Sequence, residues 1–168
     1  MVSISQVSSP NEIHDVQDLL REYTTWAFAL AAESNQAPTF QGLEEELAAL
    51  PGTYAPPTGS LLLATLNSQP AGCIAVKGHD ATTGELKRLY VRPTFRGRKI
   101  GRQLVDAVIE TAREMGYQRL ILDSHISMKS AHAIYQAAGF RKVETPIDFP
   151  EDLKPIVVFM EMNLDKNE

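Results

Sequence analysis

Glu85-Leu-Lys-Arg-Leu-Tyr-Val-Arg-Pro-Thr-Phe-Arg-Gly-Arg-Lys-Ile-Gly-Arg-Gln-Leu104 is the stretch on which the fold turns. It opens with strand character at Leu86, Leu89, Tyr90 and Val91, breaks at Pro93, and turns through Arg96-Gly-Arg-Lys-Ile-Gly101 into a long amphipathic helix. A strand, a glycine-bearing turn and a helix start together make an anion cradle. The turn leaves backbone N–H groups free, and the helix N-terminus adds roughly half a positive charge. Charge placement points the same way. Residues 87–102 hold seven basic side chains and no acidic one, whereas the remainder of the chain carries nine basic against 21 acidic residues. An acidic protein has gathered much of its positive charge at one turn.

Outward from this stretch, the pattern is that of one domain over residues 1–168. That length buries roughly 70% of the unfolded surface, and 43% hydrophobic with 22% charged residues is a folding composition rather than a disordered one. Residues 2–8 alternate apolar and polar as a half-buried strand does. Ser9-Pro10-Asn11-Glu12 is a helix start, with the helix running to about Ala32; a second helix follows Thr39, with Leu43, Leu47 and Leu50 on one face. Residues 60–66 and 71–76 are apolar strands joined by the hairpin signal Asn67-Ser-Gln-Pro70. Ile100, Leu104, Val108, Ala112 and Met115 stripe the helix after the cradle, which Gly116 ends. Residues 119–126 form another strand. Ser127 is placed to cap a last helix facing the core with Ala131, Ile134, Tyr135 and Ala138, and strands at 142–145 and 156–164 follow. The order β-α-α-β-β-β-α-β-α-β-β is α+β. It predicts a mostly antiparallel sheet of about seven strands, helices on both faces, and one parallel pair spanned by the cradle helix.

Three motifs in this order resemble the GNAT superfamily of N-acetyltransferases. Arg96-Gly-Arg-Lys-Ile-Gly101 is similar to its acetyl-coenzyme A loop, Leu89-Tyr-Val-Arg-Pro93 to its fourth strand, and Tyr135-Gln-Ala-Ala-Gly-Phe140 to its Y-x-x-x-G-F helix end. The resemblance covers about residues 60–143. Lys99 stands where the family has its middle glycine, and Met128 where an asparagine often precedes the last helix. The resemblance implies an acetyl-CoA-dependent transferase acting on a primary amine of a small molecule, amino acid or peptide. Pyrophosphate contacts fall to the backbone of Arg98, Lys99, Ile100, Gly101 and Arg102, with Gly97 and Gly101 allowing close approach and Arg96 or Arg102 adding charge-assisted bonds. The Leu89, Tyr90 and Val91 backbone is expected to pair with the pantetheine amides, which requires the strands at 86–91 and 119–126 to splay apart. Lys99 is expected at negative φ, where lysine costs little.

Neutralising a lysine-type amine at pH 7 costs roughly 4–5 kcal/mol, against about 1 for an α-amine, so a base matters most for the first class. Glu85 is the candidate, directly or through water, because the cofactor strand begins there. By resemblance Tyr135 is the general acid that protonates the leaving sulfur, and a backbone N–H near Val91 holds the oxyanion. Asp123-Ser124-His125 end an apolar strand and can line the acceptor pocket, with His125 read as a capping or solvent-facing residue; consecutive strand positions cannot form a relay. Acceptor contacts are expected from residues 23–28 and the loop at 147–154, where Asp148, Glu151 and Asp152 can attract a cation.

The four histidines share no ligand spacing, so no metal is expected. A single cysteine and the absence of a leader or a long apolar run point to the cytoplasm, with no membrane partner. A homodimer is left open. Two other readings stand beside the enzyme: a non-catalytic acetyl-CoA sensor, and a nucleic-acid module using the basic segment. The second lacks a wide cationic face with stacking aromatics, and no nucleic-acid partner is expected.

Overall fold

A computed structural model describes residues 1–32 and 42–164. Its elements are β1 (Val2–Gln6), α1 (Pro10–Ala31), α2 (Leu43–Ala48), β2 (Ser60–Leu66), β3 (Gln69–Gly78), β4 (Thr83–Val91), α3 (Ile100–Glu114), β5 (Arg119–His125), α4 (Lys129–Ala138), β6 (Arg141–Val143) and β7 (Val157–Asn163). This is the expected order, with strand ends displaced by one or two residues. The Thr39 end assigned to the second helix lies outside the described residues.

Local chemistry accounts for the boundaries. Ser9 caps α1: its hydroxyl accepts from the Glu12 N–H at 3.2 Å, and the Glu12 carboxylate accepts in return from the Ser9 N–H at 3.1 Å. β2 and β3 are joined through Asn67 and Ser68, both at positive φ (52° and 69°), the geometry that a two-residue hairpin with matched twist requires. Gly116 and Gly139 end α3 and α4 in left-handed conformations. One cap differs from expectation. Met128, not Ser127, is the N-cap of α4, and no side chain caps it; the Ser127 hydroxyl is instead engaged with His125 Nδ1 at 2.7 Å.

The seven strands lie in the order β1-β2-β3-β4-β5-β7-β6. Every pairing is antiparallel except β4 with β5, which α3 connects. Because helices cover both faces, consecutive residues of a strand enter different cores. Leu62, Ile74 and Leu86 pack with Leu104 and Val108 of α3, whereas Leu61, Leu63 and Cys73 pack with Val16, Leu19 and Leu20 of α1. Among the described residues no helix is long and apolar enough to cross a membrane.

Two irregularities of β4 shape the site. Its parallel pairing with β5 stops after Glu85 opposite Ile121, so the strands diverge into a V. On its other edge, Cys73 pairs with Tyr90 but Ala75 with Lys87, so β4 carries one extra residue. Arg88, at φ 67°, absorbs that bulge.

Candidate active site

Past β4 the chain makes a short 3₁₀ turn (Pro93–Phe95), passes Gly97 at φ 82°, and enters α3 with Lys99 as N-cap at φ 63°, ψ 21°. The negative φ expected for Lys99 is therefore corrected. The turn must reverse the chain within a few residues, and it does so with two left-handed positions, of which the second is held by lysine at about 1 kcal/mol over glycine. The consequence is electrostatic. The N–H groups of residues 97–102 make no hydrogen bond within the described residues, and Lys99 supplies no side-chain cap. Six free donors, the last three of them the helix N-terminus itself, thus lie together in one turn. Arg98 and Lys99 are exposed beside it and unpaired among the described residues, while Arg102 is engaged with Asp106 at 2.9 Å. Gly101 is buried against α4, and a Cβ there would meet Ile134 Cδ1 at 3.0 Å.

This turn closes one end of a groove of about 450 Å³ in the mouth of the V, walled by Leu89, Val91, Ile100 and Ile134. Arg96 roofs it. Its Nε donates to the Val91 carbonyl at 2.8 Å, and its guanidinium lies 4.8 Å from the Trp26 ring centre and 5.7 Å from that of Tyr90. Arg96 is thus committed to an aromatic pair and to a β4 carbonyl rather than presented at the turn.

Behind the groove lies a second cavity of about 280 Å³, and Leu89 and Ala131 line both spaces. Tyr135 lines the second. Burial pushes its phenol well above the ordinary value, and the neighbouring Tyr23 and Asp123 add to that push, so the proton stays on at neutral pH. Asp123, half-buried, faces the same space, and its carboxylate carries no hydrogen bond and no ion pair among the described residues. Burial raises its carboxyl above the ordinary range; Lys87 opposes the rise and Glu85 reinforces it. Glu85 lies beside this cavity rather than in its lining, 3.5 Å from the Lys87 ammonium.

Arg88 also lines the cavity but is held by Glu46 through two bonds of 3.0 and 2.8 Å. Both cations at this place therefore already have carboxylate partners. His125 is buried, not solvent-facing: β5 delivers it into the cavity wall, where Nδ1 accepts the Ser127 N–H at 3.1 Å. From the loop at 147–154 it is the apolar members Phe149 and Leu153 that reach the cavity. Asp148, Glu151 and Asp152 do not line it, and Glu151 is paired with Lys154 at 2.7 Å.

The sequence placed residues 23–28 and Asp123 near the acceptor, but did not say how they divide between the two spaces or which charges find partners. Of residues 23–28, Tyr23 reaches the second cavity and Trp26 the groove. Asp123 had a visible signal, a carboxylate closing an apolar strand, but its isolation depends on where β4 diverges.

The acetyltransferase (GNAT) family profile matches residues 13–140. Over 167 residues the chain is 34% identical to an uncharacterised N-acetyltransferase of Schizosaccharomyces pombe, covering 98% of this chain and 96% of that protein. A GNAT-family acetyltransferase structure from Staphylococcus aureus superposes with a TM-score of 0.77 at 23% identity, covering 98% of this chain and all of that one. A PaiA N-acetyltransferase from Thermoplasma acidophilum, solved in complex with coenzyme A, superposes with a TM-score of 0.75 at 20% identity, covering 97% and 99% of the two chains. These two likenesses concern the fold.

Proposed function

The chain belongs to the GNAT acetyltransferase family, and on that premise we propose that it transfers the acetyl group of acetyl-CoA to a primary amine, using one domain over residues 1–168. The observation that carries this reading is the junction of the two spaces: six unpartnered amides close the groove on one side, and Tyr135 waits in the adjoining cavity on the other.

The diphosphate fits residues 97–102, because backbone donors fixed by the fold cost no side-chain entropy on binding. Arg98 and Lys99 add charge beside it. The pantetheine arm would follow β4 past Leu89, Tyr90 and Val91, whose edge toward β5 has no strand partner beyond Glu85. To expose the Val91 carbonyl, Arg96 gives up its 2.8 Å bond and stays on Trp26. Acetyl-CoA supplies an activated thioester. As the amine nitrogen bonds to the acetyl carbon and the C–S bond breaks, Tyr135 gives its proton to the departing sulfur, which its raised pKa keeps available. The proton leaving the amine travels toward the carboxylates of the β4–β5 fork. Glu85 requires an intermediary to receive it, since it lies outside the cavity lining.

The test is release of coenzyme A thiol across a panel of primary amines, with Tyr135→Phe alongside. The phenylalanine variant should bind acetyl-CoA as the parent does and turn over roughly 10²-fold more slowly. A parent that binds acetyl-CoA and acetylates no amine would make the chain a sensor of that molecule.

A further inference from the structure

We infer that the second cavity takes a compact primary monoamine with an apolar body, and that Asp123 is the residue that receives its ammonium and then its proton. This deepens the proposed acetyl transfer and rests on it. Three observations lead there.

The first is a charge inventory. Of the ionised side chains lining the cavity, Lys87 lies 3.5 Å from Glu85 and Arg88 is bound bidentately by Glu46, so neither offers a free cation to a substrate carboxylate. The Asp123 carboxylate has neither a hydrogen bond nor an ion pair among the described residues. A half-buried carboxylate without a partner is unfavourable for the fold and becomes favourable only when something cationic is delivered to it. One free carboxylate suits one ammonium. A polyamine would leave its further charges facing Phe149, Leu153, Ile156 and Val157, and an amino acid would bring its own carboxylate toward Asp123.

The second is shape. The cavity measures about 280 Å³, below the roughly 300–1,000 Å³ of common ligand pockets. One side is apolar, from the loop residues Phe149 and Leu153 and the start of β7; the charged side is the β4–β5 fork. An acceptor that is cationic at one end and apolar at the other matches both walls.

The third is direction. Asp123 and Tyr135 line one cavity, and the Asp123 charge acts on the Tyr135 phenol. An amine bound to Asp123 therefore has the acid that serves the departing sulfur within the same space. In the transfer, Asp123 takes one proton from the ammonium, the freed nitrogen forms the N–C bond, and the C–S bond breaks as Tyr135 gives its proton to sulfur. The second nitrogen proton resets the phenol, and the Asp123 proton leaves to solvent with the amide product.

The experiment measures kcat/KM by thiol release with 2-phenylethylamine, L-aspartate and spermidine, on the parent protein and on Asp123→Asn, with acetyl-CoA affinity and melting temperature recorded for both. The expected result is a preference for 2-phenylethylamine of at least tenfold over either competitor. Asp123→Asn should lose at least a hundredfold of that rate, keep its acetyl-CoA affinity within twofold, and melt no lower than the parent. Preference for aspartate or spermidine, full activity in Asp123→Asn, or no turnover of the three amines by a protein that binds acetyl-CoA would overturn the inference. So would a lowered melting temperature in Asp123→Asn, because the carboxylate would then be a structural support. Failure to bind acetyl-CoA would instead remove the proposed function beneath it.

Discussion

At the scale of single residues, this site is built from positions that work against stability. Lys99 holds a left-handed backbone that glycine would adopt freely. Lys99→Gly should raise stability by about 1 kcal/mol, read from the urea midpoint, and weaken acetyl-CoA by less than tenfold, since one exposed cation is lost while the amides stay. Asp123 is the second such position. Its folded carboxyl binds a proton more tightly than an ordinary aspartate, with burial as the first cause. The folded state is therefore favoured at low pH, and it loses stability as pH rises through the raised value. Lys77, Glu85, Lys87 and Arg88 set its field, Tyr23 and Tyr135 face it from α1 and α4, and His125 shares its strand. Asp123→Asn should consequently melt higher than the parent at pH 7, and the gain should vanish below about pH 4, where an unfolded aspartate is also protonated. A gain that persists at low pH would assign the effect to packing. Tyr135 was legible from its spacing to Gly139 and Phe140, because one helix face and one cap fix its place. The isolation of Asp123 was not, because it depends on which charges across three strands find partners.

At the scale of elements, the bulge in β4 connects the site to the α1–α2 face. Arg88, turned out of register at φ 67°, reaches Glu46 of α2, and Glu46 also accepts from the Tyr54 hydroxyl at 3.0 Å. Burial alone would raise the Glu46 carboxyl, but the Arg88 and Tyr54 hydrogen bonds outweigh it and hold the group below its ordinary value. The stability this confers is complete above the unfolded pKa and is lost as pH falls through the lowered one. Arg88→Ala should cost about 2 kcal/mol in chemical denaturation at pH 7, in line with hydrogen bonds to a charged group, and the penalty should shrink in acid. A deficit that does not change between pH 7 and pH 3 would contradict the clamp. Nothing in the sequence announced this pair. Glu46 reads as one of three consecutive acids on a short helix, and a bulge is a property of register between strands, invisible in either strand alone. The helices themselves were legible, since Ser9 with Glu12, Gly116 and Gly139 are caps whose chemistry is local.

At the scale of the whole molecule, the fold is a sheet that opens once. Five of its six strand-to-strand contacts are antiparallel ladders, and the one parallel contact, between β4 and β5, stops after three residue pairs. That opening admits both cavities, and residues 87–102, from within β4 to the start of α3, carry seven basic side chains in an otherwise acidic chain. The strand–turn–helix order made the opening foreseeable. The segments that wall it, from α1, α4 and the loop before β7, were legible too; that Phe149 and Leu153 rather than the acids of that loop face inward was not, because only the folded chain decides it. The central claim is that the amides of residues 97–102 hold the diphosphate. It is tested most directly by calorimetric titration of acetyl-CoA into the parent, Gly101→Asn and Gly101→Asp. The two variants place side chains of nearly equal size against Ile134, so their difference isolates charge. The account predicts one site in the parent, a moderate loss for asparagine, and a further loss of at least tenfold for aspartate, whose carboxylate would face the diphosphate. Equal affinity in Gly101→Asp and Gly101→Asn would contradict it.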